Sequence, residues 1–130
     1  MASVFSKIIT GEIPCYKIAE TEKYFAFLDI MPLANGHVLV IPKKEIDYIF
    51  DIESDEYKGL WEFAQTVANA IKKAIPCKKV GVAVIGLEVP HAHIHLVPIN
   101  NVEDINFSKA KLKPTQEELA ETAERIKQYL

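Results

Sequence analysis

The sequence has few cysteines, no long apolar run and no cluster of basic residues. Its two cysteines, Cys15 and Cys77, show no motif spacing, which favours two small buried side chains in a reducing compartment over a disulfide framework. An apolar run of about 18 residues is absent, so we expect no membrane-spanning segment. The start MASVFSKIIT lacks the basic, apolar and small-residue succession of a signal peptide, so we expect a cytoplasmic protein.

The charge balance argues against extended nucleic acid as a partner. The net charge is −3 and no basic block is present, although a single nucleotide is not excluded as a ligand. The chain has 130 residues, of which 49% are hydrophobic and 25% are charged, as in globular proteins. No repeat, low-complexity stretch or linker divides it, so we expect a single domain over residues 1–130.

Hydrophobic periodicity and turn residues predict the element order α-β-β-β-α-β-β-α. A short helix is predicted in SVFSKIITGEIP, with Ser3 as its N-cap and Gly11 at its end. Strands are predicted in CYKIAET, KYFAFLDI and HVLVIP, and later in KKVGVAVIG and VPHAHIHLVP. Consecutive strands with short connections favour an α+β fold, an antiparallel sheet of about five strands with helices packed on it.

Two further helices are predicted from caps and apolar stripes. The longest begins with Ser54 as its N-cap and stops at Pro76. Its apolar stripe comprises Tyr57, Leu60, Trp61, Ala64, Val67, Ala68, Ile71 and Ile75. After a loop in NNVEDINFSKAKLK, Thr115 and Glu118 form a capping box for the last helix. Its inward-facing residues are predicted to be Leu119, Ala120, Ala123 and Ile126.

Three of the four histidines occupy alternate positions in PHAHIHLVP. In a strand, His91, His93 and His95 would share one face, because alternate side chains point to opposite sides. The other face would carry the apolar residues Ala92, Ile94 and Leu96. A row of titratable rings is a poor core and an unusual surface, which makes a purely structural role the weakest interpretation.

Two chemical interpretations of the row are open. In the first, H-x-H presents two imidazoles to zinc or iron, and His37 supplies a third ligand. In the second, the middle ring attacks phosphorus while the flanking rings donate hydrogen bonds to phosphate oxygens. No carboxylate lies within the row. Histidines two residues apart on a strand are separated by roughly 6–7 Å at the backbone. One metal ion can therefore bind two of them, but the third ring would have to reach too far. These features favour catalysis without metal, and we expect no cofactor.

The segment HAHIHLV resembles the signature of the histidine triad (HIT) family, H-x-H-x-H followed by two apolar residues. SVFSKIITGEIP and AFLDIMPLANGHVLVIPKKEI resemble the family's first two blocks, and GLEVPHAHIHLVP resembles the third. The resemblance covers about residues 3–100 and leaves the loop and the helix of residues 101–130 outside. It implies a HIT-like fold, nucleotide binding, chemistry at the α-phosphate, and a homodimer in which two sheets join across a two-fold axis.

The resemblance also implies roles for individual residues. His93 would be the nucleophile that forms a nucleotidyl-histidine intermediate, with His37, His91 and His95 supporting it and His95 on the phosphate. Asp29 would hold the ribose hydroxyls. The base pocket would be lined by Val4, Phe5, Ile8, Phe27, Ile30 and Leu39.

The sequence departs from the family pattern at positions that affect the expected substrate and the expected metal content. Ser3 and Ser6 stand where many zinc-containing relatives have C-x-x-C, and hydroxyls are poor zinc ligands. Leu87 replaces a common glutamine, and Ile99 an arginine often found after the triad. Fewer side-chain donors would then face the phosphate, so backbone amides near Glu88 and Val89 are expected to serve.

Glu88 stands where some members carry serine or threonine near the leaving group, and a carboxylate there disfavours a polyphosphate and favours an amine. The sequence therefore predicts a purine nucleotide hydrolase that cleaves nucleoside phosphoramidates without metal. Two alternatives are a dinucleoside polyphosphate hydrolase and a nucleotide-binding regulatory protein with incidental turnover.

Overall fold

A five-stranded antiparallel sheet forms the centre of the computed structural model, which describes residues 2–130. The strands are β1 (Lys17–Glu20), β2 (Tyr24–Leu28), β3 (Val38–Pro42), β4 (Lys79–Ala83) and β5 (Ile94–Ile99). The helices are α1 (Val4–Ile9), α2 (Ser54–Ala74) and α3 (Gln116–Lys127). The strand order is β1-β2-β3-β5-β4, which confirms the predicted α+β class and element order.

The sheet is covered on both faces, and strand alternation decides what each face contacts. Ala26 and Leu28 of β2 belong to the larger core cluster, which includes the buried sides of α2 and α3. Phe25 and Phe27 point the other way and join Phe5 of α1 in a second cluster with Leu39 and Ile41. Every residue of β3 is buried, as expected for a central strand with cover on both faces.

Both long helices follow their apolar stripes, with small corrections. Helix α2 begins at Ser54, and its N-cap is Glu53, whose carboxylate accepts a hydrogen bond from the amide of Glu56. The prediction that Ser54 is the N-cap was therefore wrong. Helix α3 has the predicted Thr115–Glu118 capping box. Ala120 of α3 is exposed, and the face toward the core carries Thr122 instead. No described helix combines the length and the apolar character that crossing a membrane requires.

Gly36 allows the chain to turn immediately before His37 and β3. Its φ is +94°, in the region that favours glycine, and the chain is crowded there. A Cβ at Gly36 would lie 2.9 Å from Cγ1 of Ile75 and 3.3 Å from Cγ of Pro98. Glycine at this position therefore serves both the backbone conformation and the close approach of two buried neighbours.

We expect Gly36→Ala to cost about 2–4 kcal/mol in the free energy of unfolding, because it adds overpacking to the cost of a left-handed conformation. Gly11→Ala is the matched control, since Gly11 has a φ of +86° but no atom within 4 Å of the point where a Cβ would lie. That control should cost only the conformational part, about 1 kcal/mol. Urea denaturation of both variants measures the difference, and equal losses would contradict the packing argument.

Candidate active site

The histidine row begins outside the regular strand. Strand β5 starts at Ile94, so His95 alone of the three lies within it, and the prediction of one strand through all three was wrong. The ladder between β3 and β5 ends at the pair Val40↔Ile94, close to Pro42, which has no N–H to donate. The amide of Ala92 instead donates to the carbonyl of Ile46 at 2.7 Å.

Histidines and apolar residues of the row nevertheless point to opposite sides, as predicted. The three apolar residues of the row belong to the larger core cluster: Ala92, Ile94 and Leu96. On the other side, the ring of Phe5 lies 5.9 Å from that of His91 and 4.9 Å from that of His93, between centroids. The rings of His93 and His95 are 4.9 Å apart, and all four histidines of the chain are buried.

One hydrogen bond determines which nitrogen of His93 is free. Nδ1 of His93 lies 2.7 Å from the backbone carbonyl oxygen of His91. A carbonyl oxygen only accepts, so in the neutral ring Nδ1 carries the proton and Nε2 keeps its lone pair. Within residues 2–130, Nε2 has no hydrogen-bond partner and is not shut off from solvent. His93 therefore presents an unprotonated, unpaired nitrogen.

A chain of hydrogen bonds fixes His37 and His95 in the same way. The amide of Leu33 donates to Nδ1 of His37 at 3.0 Å, so the proton of His37 is on Nε2. That Nε2 donates to Nδ1 of His95, also at 3.0 Å. The neutral ring of His95 must then carry its own proton on Nε2, which is available as a donor. The pair follows from the sheet, because His95 is opposite Leu39, two residues after His37.

Burial keeps this pair of rings neutral. Desolvation, with a smaller contribution from the charge of Lys111, lowers the pKa of His37 to about 4. Desolvation also lowers the pKa of His95 to about 3, together with repulsion from His93, His37 and Lys111. Near neutral pH, His95 is therefore a donor of a neutral hydrogen bond and not a cation.

His91 is enclosed by the protein and has both nitrogens occupied. Its Nε2 donates to the carbonyl of Pro42 at 2.8 Å, so its Nδ1 accepts from the hydroxyl of Ser3 at 2.9 Å. Burial lowers its pKa. The expectation that both flanking rings donate to phosphate thus fails for His91, whose nitrogens have other partners. His91 instead positions His93 through its carbonyl oxygen.

Glu45, which sequence reasoning missed, anchors the other end of this network. Its Oε1 accepts from the hydroxyl of Ser6 and from the amide of Ser3, both at 2.6 Å. These hydrogen bonds lower the pKa of Glu45 to about 2. Ser3 and Ser6 thus connect helix α1 to Glu45, and Ser3 also connects it to His91. No pattern in PKKEI indicated this contact, which depends on the tertiary position of α1.

A cavity of about 370 Å³ opens beside His93 and His95. Eight of its twelve lining residues were predicted from the sequence: Phe5, Asp29, Leu39, Leu87, Glu88, Val89, His93 and His95. Four were missed: Ile85, Gly86, Phe107 and Lys111. The cavity thus combines apolar walls, a free imidazole nitrogen, an imidazole N–H and charged groups, as small-molecule sites do.

Four predicted base-pocket residues are not among the walls of this cavity. Val4 and Ile30 are 42% and 60% exposed, respectively. Ile8 and Phe27 belong to or pack against the second core cluster, and the ring of Phe27 is 5.5 Å from that of Phe5. These two residues support the wall formed by Phe5.

Asp29 lies at the end of β2, next to the pair of neutral histidines. Its Oδ1 accepts from the amide of Met31 at 2.9 Å, and its Oδ2 is 3.7 Å from Nε2 of His37. Burial raises the pKa of this carboxyl. Asp29, His37 and His95 are also the one group in residues 2–130 whose ligand atoms, within 4.8 Å of one another, could hold a metal ion. The hydrogen bond between the two histidines already uses the facing atoms, however.

A model of the HIT domain family matches residues 10–102 of the sequence. The chain belongs to the HIT family. The Saccharomyces cerevisiae protein adenosine 5'-monophosphoramidase HNT1 is 38% identical over 98 residues, which make up 75% of this chain and 62% of that protein. The family model ends before Phe107 and Lys111, so the part of the cavity wall that these residues form lies beyond the matched segment.

Solved structures of HIT proteins share the fold. A Hit-like protein of Bartonella henselae, described as involved in cell-cycle regulation, matches with a TM-score of 0.86 and 32% identity, covering 98% of this chain and 96% of that one. A Zn-bound histidine triad family protein of Mycobacterium smegmatis matches with a TM-score of 0.84 and 27% identity, covering 99% and 93% of the two chains. Both confirm the predicted HIT-like architecture.

The lowered pKa values predict that this HIT domain loses stability in mild acid. An unfolded histidine titrates near pH 6.5, whereas His37 and His95 in the fold titrate near 4 and 3. Between these values the unfolded chain binds more protons, so the free energy of unfolding falls as the pH falls. Each histidine contributes up to about 1.4 kcal/mol per pH unit.

Denaturant unfolding at pH 6 and pH 5 measures this slope. His95→Asn leaves an acceptor for the N–H of His37 but removes one titrating group. The slope of the variant should therefore be smaller by about one proton. An unchanged slope would show that His95 is not buried as a neutral ring.

Proposed function

We propose that this HIT protein is a nucleotide-binding hydrolase that cleaves the phosphorus–nitrogen bond of a purine nucleoside phosphoramidate. The observation that carries this proposal is the tautomer of His93, whose bond to His91 leaves Nε2 unprotonated. His93 and His95 both line the cavity, and the proton of the neutral His95 ring is on its Nε2. A nucleophile and a donor for the phosphate oxygens thus lie side by side.

The reaction follows from these two groups. Nε2 of His93 attacks the α-phosphorus, the phosphorus–nitrogen bond of the substrate breaks, and the leaving amine takes up a proton from solvent. Throughout, the Nδ1 proton of His93 stays hydrogen-bonded to the carbonyl oxygen of His91, which stabilises the positive charge that develops on the ring. Water then attacks phosphorus, the bond to His93 breaks, and a nucleoside monophosphate leaves.

The wall next to the nucleophile favours an amine over a polyphosphate as leaving group. Glu88 is exposed and lines the cavity, so its carboxylate repels additional phosphates and attracts a protonated amine. The name of the S. cerevisiae relative, adenosine 5'-monophosphoramidase, supports the same choice. His93 could also attack a dinucleoside polyphosphate, but the carboxylate of Glu88 would not stabilise the polyphosphate that leaves.

The nucleoside is proposed to occupy the region between β2, β3 and α1. Asp29, which lines the cavity, would hold the ribose hydroxyls. The base would contact apolar side chains of this region, from the predicted set Val4, Phe5, Ile8, Phe27, Ile30 and Leu39. Phe5 and Leu39 line the cavity directly, and the backbone amides near Glu88 and Val89, two further lining residues, would serve the phosphate.

We expect His93→Asn to stop turnover while leaving the fold and nucleotide binding intact. Asparagine can donate and accept hydrogen bonds but cannot attack phosphorus. The loss should be about 10³-fold or more, equivalent to about 4 kcal/mol in the barrier. Rapid acid-free quenching of the wild type should trap a nucleotide bound through an acid-labile phosphorus–nitrogen linkage at His93.

The control variants are His91→Asn and His95→Asn, which should cost less because these rings position and donate only. All assays are run with EDTA present, since the proposed steps use no metal, and a panel of phosphoramidates and dinucleoside polyphosphates ranks the leaving groups. Turnover by His93→Asn within about tenfold of the wild type would place the nucleophile elsewhere. Nucleotide binding without turnover of any substrate would favour the regulatory alternative.

We also propose that two copies pair through β4. This strand is at the edge of the sheet, and several apolar side chains on or near it are exposed. They are Tyr48 (58%), Phe50 (67%), Val82 (50%), Val84 (36%) and Ile85 (48%). Antiparallel pairing of two β4 strands across a two-fold axis would cover this surface and join the two sheets.

Sedimentation at micromolar concentration should give about twice the chain mass of 14.6 kDa. Val82→Lys puts a charge into the proposed interface and should yield monomers. Val102→Lys is the control, because Val102 is 83% exposed and lies outside β4, in the 3-10 turn Val102–Ile105. A wild-type monomer with full activity would overturn the proposal.

A cytoplasmic location is proposed on the basis of the thiols. Cys15 and Cys77 are free and half-buried. Burial raises the pKa of the Cys15 thiol, which makes it less reactive. Free thiols of this kind are typical of reducing compartments.

A further inference from the structure

The segment that follows β5 closes one side of the cavity, although the family model ends at residue 102. A short 3-10 turn at Val102–Ile105 redirects the chain after β5. Beyond it, the amide of Leu112 donates to the carbonyl of Pro32 at 2.9 Å, which ties the segment to the turn before His37. The ring of Phe107 is thereby held 4.7 Å from the ring of His95.

Lys111 is the lysine of this segment that lines the cavity, and two backbone carbonyls hold its ammonium group. Its Nζ donates to the carbonyl of Phe107 at 2.6 Å and to that of Lys109 at 3.3 Å. Within residues 2–130 it forms no ion pair, so its charge is not neutralised by a carboxylate. An ammonium group has three N–H donors, and one of them is left for a ligand.

The charges around the cavity indicate what that ligand is. The charged side chains in its wall are Asp29, Glu88 and Lys111, and the wall histidine His95 is neutral near neutral pH. A phosphate bound beside His93 would therefore meet two carboxylates and a single lysine. An anion in such a site requires a cation within reach, because unpaired negative charges in a partly dry cavity repel strongly.

We propose that Lys111 binds the anionic phosphate of the nucleotide and is a residue that determines affinity for it. Lys111 is the one lysine in the wall of the cavity. Its fixed position costs little ordering on binding, because the two carbonyls hold the ammonium in place before the ligand arrives. This inference rests on the proposed function for the position of the phosphate.

A purely structural role makes a different prediction. If Lys111 only holds the carbonyls of Phe107 and Lys109, its removal should loosen the segment and weaken every ligand of the cavity. If it binds phosphate, its removal should weaken a nucleotide and spare the corresponding nucleoside. AMP and adenosine, which differ only by the phosphate, separate the two roles.

The experiment is calorimetric titration of the full chain with AMP and with adenosine. Lys111→Met should weaken AMP binding by about 10-fold or more and change adenosine binding by no more than about twofold. Lys111→Arg keeps the charge and should remain within about threefold of the wild type. Lys109→Met is the matched control, since Lys109 is exposed on the same segment, and it should leave both affinities unchanged.

Two results would overturn the inference: wild-type AMP affinity in Lys111→Met, or an equal loss of AMP and adenosine binding in that variant. Turnover of adenosine phosphoramidate by the wild type is measured in parallel. A wild type that binds AMP without hydrolysing the phosphoramidate would contradict the proposed hydrolase and leave the comparison at Lys111 valid. A wild type that does not bind AMP would contradict both.

Discussion

The pairing of β3 with β5 is the constraint on which the site depends. Its register places His95 opposite Leu39, and His37 directly precedes the same strand. The two histidines are 58 positions apart in sequence, yet this single ladder brings their rings within hydrogen-bond distance. Because Pro42 cannot extend the ladder, the chain of β5 diverges there, and His91 and His93 are free to take their own contacts.

Burial of the histidine rings keeps their hydrogen-bond partners fixed. Water would exchange protons with an exposed imidazole and let it flip, but the buried rings have fixed partners on at least one nitrogen. The backbone carbonyls of Pro42 and His91 and the amide of Leu33 act as the fixed points of this arrangement. Because these are main-chain groups, they do not depend on which side chains surround them. The tautomers follow from the fold, and so does the location of the one free lone pair.

Much of the fold and the chemistry of the row could be predicted from local pattern. Alternation in HAHIHLV predicted that Ala92, Ile94 and Leu96 share the face opposite the histidines, and the capping box of α3 was visible in Thr115 and Glu118. The start of β5 was predicted too early, because alternation does not show where a hydrogen-bonded partner ends. His91 was expected at the phosphate, since no pattern reveals that Ser3 occupies its nitrogen.

The residues that sequence reasoning missed share a physical cause. Glu45, Phe107 and Lys111 lie in segments without helical or strand periodicity, and their positions depend on a few long-range contacts. Such contacts leave no local signal, because each involves one donor and one acceptor far away in the chain. Ile85 and Gly86, in the connection between β4 and β5, were overlooked for the same reason.

The bond between Ser3 and His91 has a consequence for how the protein folds. It closes a loop of 88 positions, and the entropic cost of closing a loop rises with its length. The neighbouring strands β2 and β3, by contrast, are joined by a short connection and can pair early. We therefore expect helix α1 to dock on the histidines after strands β2 and β3 have paired. Docking of α1 would then complete the surroundings of His91, whose carbonyl oxygen holds His93.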